Sequence, residues 1–273
     1  MTNGIEPQAL TDAQWEKYRS DGFLRLGKLI DGEELRGLRD RIDAIMQGAA
    51  DVPYHRMLMQ RGSPDGSPGG NGPQSTGFKG ATLNYRKIQG LELDPLFHAY
   101  MSRPLYRQVA ALIYGAGTDI GIYRAMFLNK PGGSGTPLPW HQDRWIELDR
   151  DPRLTIYLTL DDATLENGCV TIIPQSHHLG LINPNSGAGF LTGEQADDVT
   201  ARREALPLEM AAGEVVLLDN WTLHSSAANT SGRPRRAFSL CLMEADTRRR
   251  ESGDLFYPYV LFPGATEPEG ASA

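Results

Sequence analysis

Cysteine is scarce: only Cys169 and Cys241 occur in 273 residues. Both fall inside apolar runs that read as strands, so a disulfide framework is not what holds this chain together, and a reduced, cytoplasmic setting is the expectation. Long apolar runs are missing too. None approaches the roughly 18 residues that span a bilayer, so no membrane partner is expected. The opening Met1-Thr2-Asn3-Gly4-Ile5-Glu6-Pro7 has neither the basic nor the apolar part of an export signal. Positive charge is in deficit, with 27 Lys and Arg against 34 Asp and Glu, for a net charge of −7. A nucleic-acid partner, which favours a basic face, is therefore not expected. Arg248-Arg249-Arg250 is a short basic cluster that reads as a solvated loop. The acidic balance leans towards a neutral or cationic ligand. No internal repeat is visible, and nothing in the sequence speaks to oligomeric state.

What is present suffices for one sizeable core. Apolar content is 40% and charged content 22%, ordinary for a globular protein. Thr11 with Gln14 forms a capping-box pattern, predicting a helix from Asp12 to Tyr18 that ends near Gly22. A strand follows at Phe23-Leu24-Arg25-Leu26. Leu35, Leu38, Ile42 and Ile45 recur at helical steps after Asp31-Gly32-Glu33-Glu34, predicting a second helix. Residues 61–80 are dominated by Gly and Pro, so neither helix nor strand is expected there, and the stretch reads as a lid or a disordered loop. Residues 95–114 look helical, with a break or bend at Pro104. Short strand-like runs then cover 120–128, 154–160, 169–173, 214–218 and 237–243. Helices first and many short strands after them predict a mainly β fold, a sandwich with flanking helices. The expected organisation is one domain over 1–273: helices over 10–47, the Gly/Pro-rich loop over 61–80, and a β core from about 119 to 245.

The chemistry sits in Pro139-Trp140-His141-Gln142-Asp143. On an extended strand residues i and i+2 share a face, so His141 and Asp143 can reach one ion together. His224, just past the apolar run Val215-Val216-Leu217-Leu218, supplies a second imidazole. Two histidines and one carboxylate are the ligand set of non-heme Fe(II) oxygenases, which leave positions open for a co-substrate and O2. Downstream, Arg233, Arg235 and Arg236 lie at the start of the next strand. A guanidinium there suits bidentate capture of a carboxylate, as an enzyme consuming 2-oxoglutarate requires.

At this point the chain resembles the phytanoyl-CoA dioxygenase family. His141-Gln142-Asp143, then His224 with Ser226, Asn229 and an arginine eleven positions on, Arg235, match its pattern. Glu166-Asn167-Gly168-Cys169 and Ile173-Pro174-Gln175-Ser176-His177 match its Asn-Gly and Pro-Gly-Ser-His segments, with Gln175 where the family has glycine. The resemblance runs from about Lys87 to Leu242, in the family's order. It implies a double-stranded β-helix, a jelly-roll of the cupin type, with Fe(II) as cofactor and 2-oxoglutarate and O2 as co-substrates. It further implies iron on His141, Asp143 and His224, with 2-oxoglutarate contacted by Arg235, Lys87, Met126, Gln142, Ser226 and Tyr157, the last where tryptophan is usual.

Trp145, Trp221 and His55 are candidates to wall a substrate pocket, each with core packing or a surface loop as its alternative. His177 and His178 are adjacent and read as turn residues, and His98 as part of a helix face. Asp161 and Asp162 read as an acidic turn pair. The activity expected is oxidation of a small metabolite by hydrogen abstraction, with hydroxylation favoured because the carboxylate Asp143 fills the position a halogenase leaves for halide. A jelly-roll metalloenzyme that does not use 2-oxoglutarate and a non-catalytic jelly-roll binding protein are the competing readings.

Overall fold

The computed structural model describes residues 9–62, 74–133 and 135–265. The first half mixes helices and strands: α1 (Asp12–Asp21), β1 (Phe23–Lys28), α2 (Gly32–Gln47), β2 (Leu58–Arg61), β3 (Ser75–Thr76), β4 (Tyr85–Gln89), α3 (Pro95–Met101) and α4 (Pro104–Tyr114). The second half is mostly strand: β5 (Ile120–Lys130), β6 (Leu138–His141), β7 (Leu154–Thr159), β8 (Val170–Ile172), then α5 (Gly193–Arg202), β9 (Leu206–Pro207), β10 (Glu214–Asp219), β11 (His224–Ser226), β12 (Arg235–Glu244) and β13 (Val260–Phe262).

These strands form two antiparallel sheets. The larger runs β1-β10-β7-β12-β5-β4-β2-β3, with β13 added on β5, and the smaller runs β6-β11-β8-β9. That is the jelly-roll architecture expected. The larger sheet is apolar on both faces in its centre, because alternate side chains enter different cores. Leu154, Ile156, Leu158, Val215, Leu217, Phe238, Leu240 and Leu242 pack against α1 to α4. Tyr157, Val216, Leu218 and Ala237 face the other way, towards Cys169 and, on the smaller sheet, Ile172. Phe238 is fully buried, with Phe97 at 5.1 Å and Tyr100 edge-on at 5.8 Å between ring centroids. Truncating a site like this to alanine typically costs about 3–5 kcal/mol. The buried Asp94 joins the helical layer: its carboxylate accepts from Leu96 N and Phe97 N at the start of α3 and pairs with Arg41 of α2 at 2.6 Å.

α1 ends at Asp21 with Gly22 as its cap, as expected, and ring N–H groups take up its last carbonyls: His177 bonds Arg19 O at 3.0 Å and His178 bonds Ser20 O at 3.1 Å. Of the break or bend expected at Pro104, the structure has the break. The proline occupies the first turn of a new helix, where its missing N–H has no intrahelical partner to lose. Other local expectations need correction. Residues 61–80 are not free of strand, since Arg61 closes β2 and Ser75–Thr76 pairs with Leu58 and Met59; positions 63–73 of that stretch lie outside the described residues. α5 was not expected, because Val199 is its only buried residue and leaves no apolar periodicity to read. Gln175 keeps the backbone that glycine favours, with φ at 64°. Cys169 and Cys241 are buried and unbridged. No helix among the described residues is long and apolar enough to cross a membrane.

Candidate metal and co-substrate site

β6 and β11 lie side by side in the smaller sheet with His141 opposite His224, and the ring centroids are 4.0 Å apart. His141 Nδ1 meets Pro139 O at 2.8 Å and His224 Nδ1 meets Thr222 O at 3.0 Å. A carbonyl only accepts, so each Nδ1 donates, and in a neutral ring the lone pair then lies on Nε2. Both Nε2 atoms face Asp143, at 3.9 Å from Oδ1 and 3.9 Å from Oδ2 respectively. One ligand atom from each of the three residues lies within 4.8 Å of the others. Burial, then the neighbouring His224, pushes His141 down to about 4, so the ring is neutral at ordinary pH and free to donate to a cation.

Asp143 does not share a strand with His141 as alternation suggested. β6 ends at His141, and the next two amides leave the ladder: Gln142 N donates to Gly189 O at 3.1 Å and Asp143 N to Asn220 O at 2.7 Å. Asn220 is buried, accepts from Thr155 Oγ1 at 2.7 Å and donates to Pro152 O at 2.9 Å, so the carboxylate is anchored to the end of β10. Gln142, expected among the co-substrate contacts, points elsewhere. Its amide donates to Gly180 O and Trp221 O and accepts from Ile182 N, all at 2.8 Å, which braces the loops behind the triad.

The triad opens on a cavity of about 190 Å³ between the sheets, lined also by Lys87, Met126, Tyr157, Ser226 and Arg235. Arg235 and Arg236, neighbours on β12, face opposite ways. Arg236 leaves the cavity to pair with Asp161 at 2.9 Å and Asp43 at 2.6 Å. Arg235 is 4% exposed and has no acidic partner among the described residues. It donates to the Tyr157 hydroxyl, and its Nε is buried with no partner among the described residues. An isolated buried guanidinium is unfavourable, so this donor set fits an incoming carboxylate. Burial keeps the Tyr157 phenol protonated, raising it above its usual range, so its own O–H is free to donate there.

Arg86, Arg124 and Lys130 line the same cavity and were missed, as were Thr155, Asn220 and Ser239. For two of them a signal existed: Arg124 and Lys130 lie two before and four after Met126 on β5, the same face of one strand. Lys130 Nζ donates to Thr136 O at 2.6 Å and Ala227 O at 2.5 Å, and burial followed by Arg235 lowers it to about 7. Burial and the adjoining Arg124 and Arg86 lower Lys87 to about 8. The three candidates for a substrate wall do not line the cavity. Trp145 is buried against Tyr123, centroids 4.3 Å apart. Trp221 lines a separate outer cleft with Trp15, Arg153 and His177, and His55 is exposed in a short turn over Tyr54–Arg56.

Comparison with known proteins points to one family and one fold. The phytanoyl-CoA dioxygenase (PhyH) family model matches residues 18–237. The chain is 23% identical over 256 residues to Phytanoyl-CoA dioxygenase of Arabidopsis thaliana, covering 87% of this chain and 90% of that protein. In fold it is similar to the non-heme alpha ketoglutarate dependent carbocyclase SnoK from nogalamycin biosynthesis, with a TM-score of 0.70, 18% identity, and coverage of 96% of this chain and 99% of that one. It is also similar to EctD from S. alaskensis with 2-oxoglutarate and 5-hydroxyectoine, with a TM-score of 0.68, 19% identity, and coverage of 97% and 86%.

Proposed function

This chain belongs to the phytanoyl-CoA dioxygenase family, Fe(II)- and 2-oxoglutarate-dependent oxygenases, and we propose that it hydroxylates a small-molecule metabolite, with His141, Asp143 and His224 as the iron ligands. The observation that carries this reading is the convergence of two imidazole Nε2 atoms with one carboxylate in a cavity whose wall holds a buried guanidinium, Arg235, with no acidic partner among the described residues. Iron with 2-oxoglutarate and O2 supplies the oxidising chemistry, in which substrate loses a hydrogen and gains hydroxyl while succinate and CO2 are released. The protein's part is positioning. Arg235 and the Tyr157 hydroxyl hold the far carboxylate of 2-oxoglutarate, and Met126 and Ser226 line its path. Thr222 O and Pro139 O keep the imidazoles in the ligating tautomer. The apolar side chains Leu128, Leu138, Val170 and Leu218 line the same wall and limit water around the reacting centre. At about 190 Å³ the cavity suits small ligands, since drug-sized ligands fill roughly 300–1,000 Å³. The unpaired Arg235 favours an oxygenase that takes 2-oxoglutarate over a jelly-roll metalloenzyme that does not.

The test is succinate release from 2-oxoglutarate by the Fe(II)-loaded protein, with a screen of metabolites for stimulation and hydroxylated product. Turnover in the native chain that is lost in Asp143→Ala supports the reading. Iron binding without any consumption of 2-oxoglutarate overturns it.

A further inference from the structure

The cavity is strongly basic although the chain as a whole is acidic. Arg86, Lys87, Arg124, Lys130 and Arg235 line it, with Asp143 as the carboxylate among its lining residues. The proposed cofactor and co-substrate use little of that charge. Fe(II) and Arg235 bring three positive charges, and Asp143 with dianionic 2-oxoglutarate brings three negative ones. Lys130 is already engaged with two carbonyls. Arg86, Lys87 and Arg124 remain, and neither arginine has a hydrogen-bond or ion-pair partner among the described residues. Arginine does not shed its proton at any ordinary pH, so both await an anion.

Arg124 is the better prepared of the two. Its guanidinium lies over the ring of Tyr123 at 4.6 Å and over that of Trp145 at 5.3 Å, and Trp145 is two residues beyond Asp143. Such stacking holds the planar group while leaving its edge N–H donors unspent. Arg86 reaches the cavity because the β2–β4 register slips. Gln60 pairs with Lys87 but Arg61 pairs with Tyr85, so Arg86 has no opposite residue and lines the same wall as its neighbour Lys87.

Resting on the oxygenase reading above and naming its substrate class, we propose that the substrate is a small organic oxyanion, a carboxylate or phosphonate, whose charged group is held by Arg124. The anionic end then lies on the Asp143 side of the cavity, apart from the carboxylate held by Arg235. Trp145 is a positioning residue, acting through Arg124.

The experiment uses the protein loaded anaerobically with Fe(II) and 2-oxoglutarate. Propionate is titrated against propionamide, and ethylphosphonate against ethyl methyl sulfone. Binding is read by the visible charge-transfer band of the iron-bound keto acid and by tryptophan fluorescence, the latter with and without iron. The proposal expects saturable changes from at least one charged member and none from its neutral partner; the pair that responds identifies the oxyanion. Arg124→Met is expected to raise the dissociation constant of that probe at least tenfold without changing that of 2-oxoglutarate, and Arg124→Lys by less. Trp145→Phe is expected to remove most of the fluorescence response. Equal response to charged and neutral members, no response to either anion, or an Arg124→Met protein with unchanged probe affinity overturns the proposal. So does a loss of 2-oxoglutarate affinity that matches the loss for the probe. Absence of the charge-transfer band in the native chain sinks the oxygenase reading instead, and the iron-free fluorescence titration still decides whether an anion sits on Arg124.

Discussion

His141 and His224 face each other across β6 and β11, and each is fixed by the carbonyl two residues before it, Pro139 O and Thr222 O. The same local turn is used twice on neighbouring strands. Ring orientation is therefore set by backbone rather than by a partner side chain, and only Asp143 is brought in from a loop.

Removing Asp143 should disconnect the two imidazoles from any ion. Asp143→Ala and His224→Ala are each expected to weaken Fe(II) binding by at least about a hundredfold, since even supporting residues at metal sites cost roughly 10–100-fold. Iron at a hundredfold excess over its dissociation constant stabilises a fold by about 2.7 kcal/mol. Anaerobic thermal melts should show an iron-dependent rise for the native chain and none for either variant. A rise of equal size in Asp143→Ala would remove it from the ligand set.

Arg235 is expected to govern affinity for 2-oxoglutarate. Arg235→Met deletes one partner of a buried charge pair, a loss of about 2–5 kcal/mol, or roughly 30-fold to several thousand-fold. Tyr157→Phe removes a neutral donor to the same carboxylate and should cost about 1.5–3 kcal/mol. Calorimetric titration with 2-oxoglutarate on the Fe(II) protein checks both. Unaltered affinity in Arg235→Met would move the co-substrate elsewhere.

Gly189 braces the loop that carries Asp143. Its φ is 72°, and a Cβ there would lie 1.8 Å from Gln142 O. Gly189→Ala must therefore push Gln142 away, breaking its bonds to Gly180 and Trp221. The backbone strain alone is worth about 1–3 kcal/mol. We expect a lowered melting temperature together with weakened iron binding. A variant that melts lower yet binds iron normally would show that the loop tolerates displacement without moving Asp143.

Lys87 should leave a signature in the pH dependence of stability. Its folded value of about 8 lies below the ordinary lysine value of roughly 10.4. Between those limits the unfolded chain holds a proton that the folded chain has released, so stability rises with pH across that window. Below about pH 8 the full penalty of a buried ammonium is present. The stability difference between the native chain and Lys87→Met should shift in favour of the native chain from pH 8 to 10. A flat difference, measured by denaturant melts at several pH values, would contradict the burial of Lys87.

The parts of this molecule that were legible in the sequence are those with short-range signals. Thr11 with Gln14 marks the start of α1, and Leu35, Leu38, Ile42 and Ile45 mark the buried face of α2. The continuous apolar runs of β7, β10 and β12 mark strands buried on both faces. The convergence of His141, Asp143 and His224 was anticipated from pattern, but through the wrong local geometry, because the amides that turn Asp143 inward bond to Gly189 and Asn220, far away in sequence. Gln142 was misjudged for the same reason: its partners, Gly180, Ile182 and Trp221, come from other loops. Arg86 could not be read at all. Its inward orientation depends on a one-residue slip between β2 and β4, and a register defect has no signature in the chain that carries it.

The cavity's lining is divided between the two sheets by chemical type. Both imidazoles come from the smaller sheet, on β6 and β11, whereas the five cationic side chains come from β4, β5 and β12 of the larger one. The two imidazoles and the cationic side chains thus stand on separate scaffolds, so Arg86, Lys87 and Arg124 on β4 and β5 can be exchanged without touching the strands that carry His141 and His224.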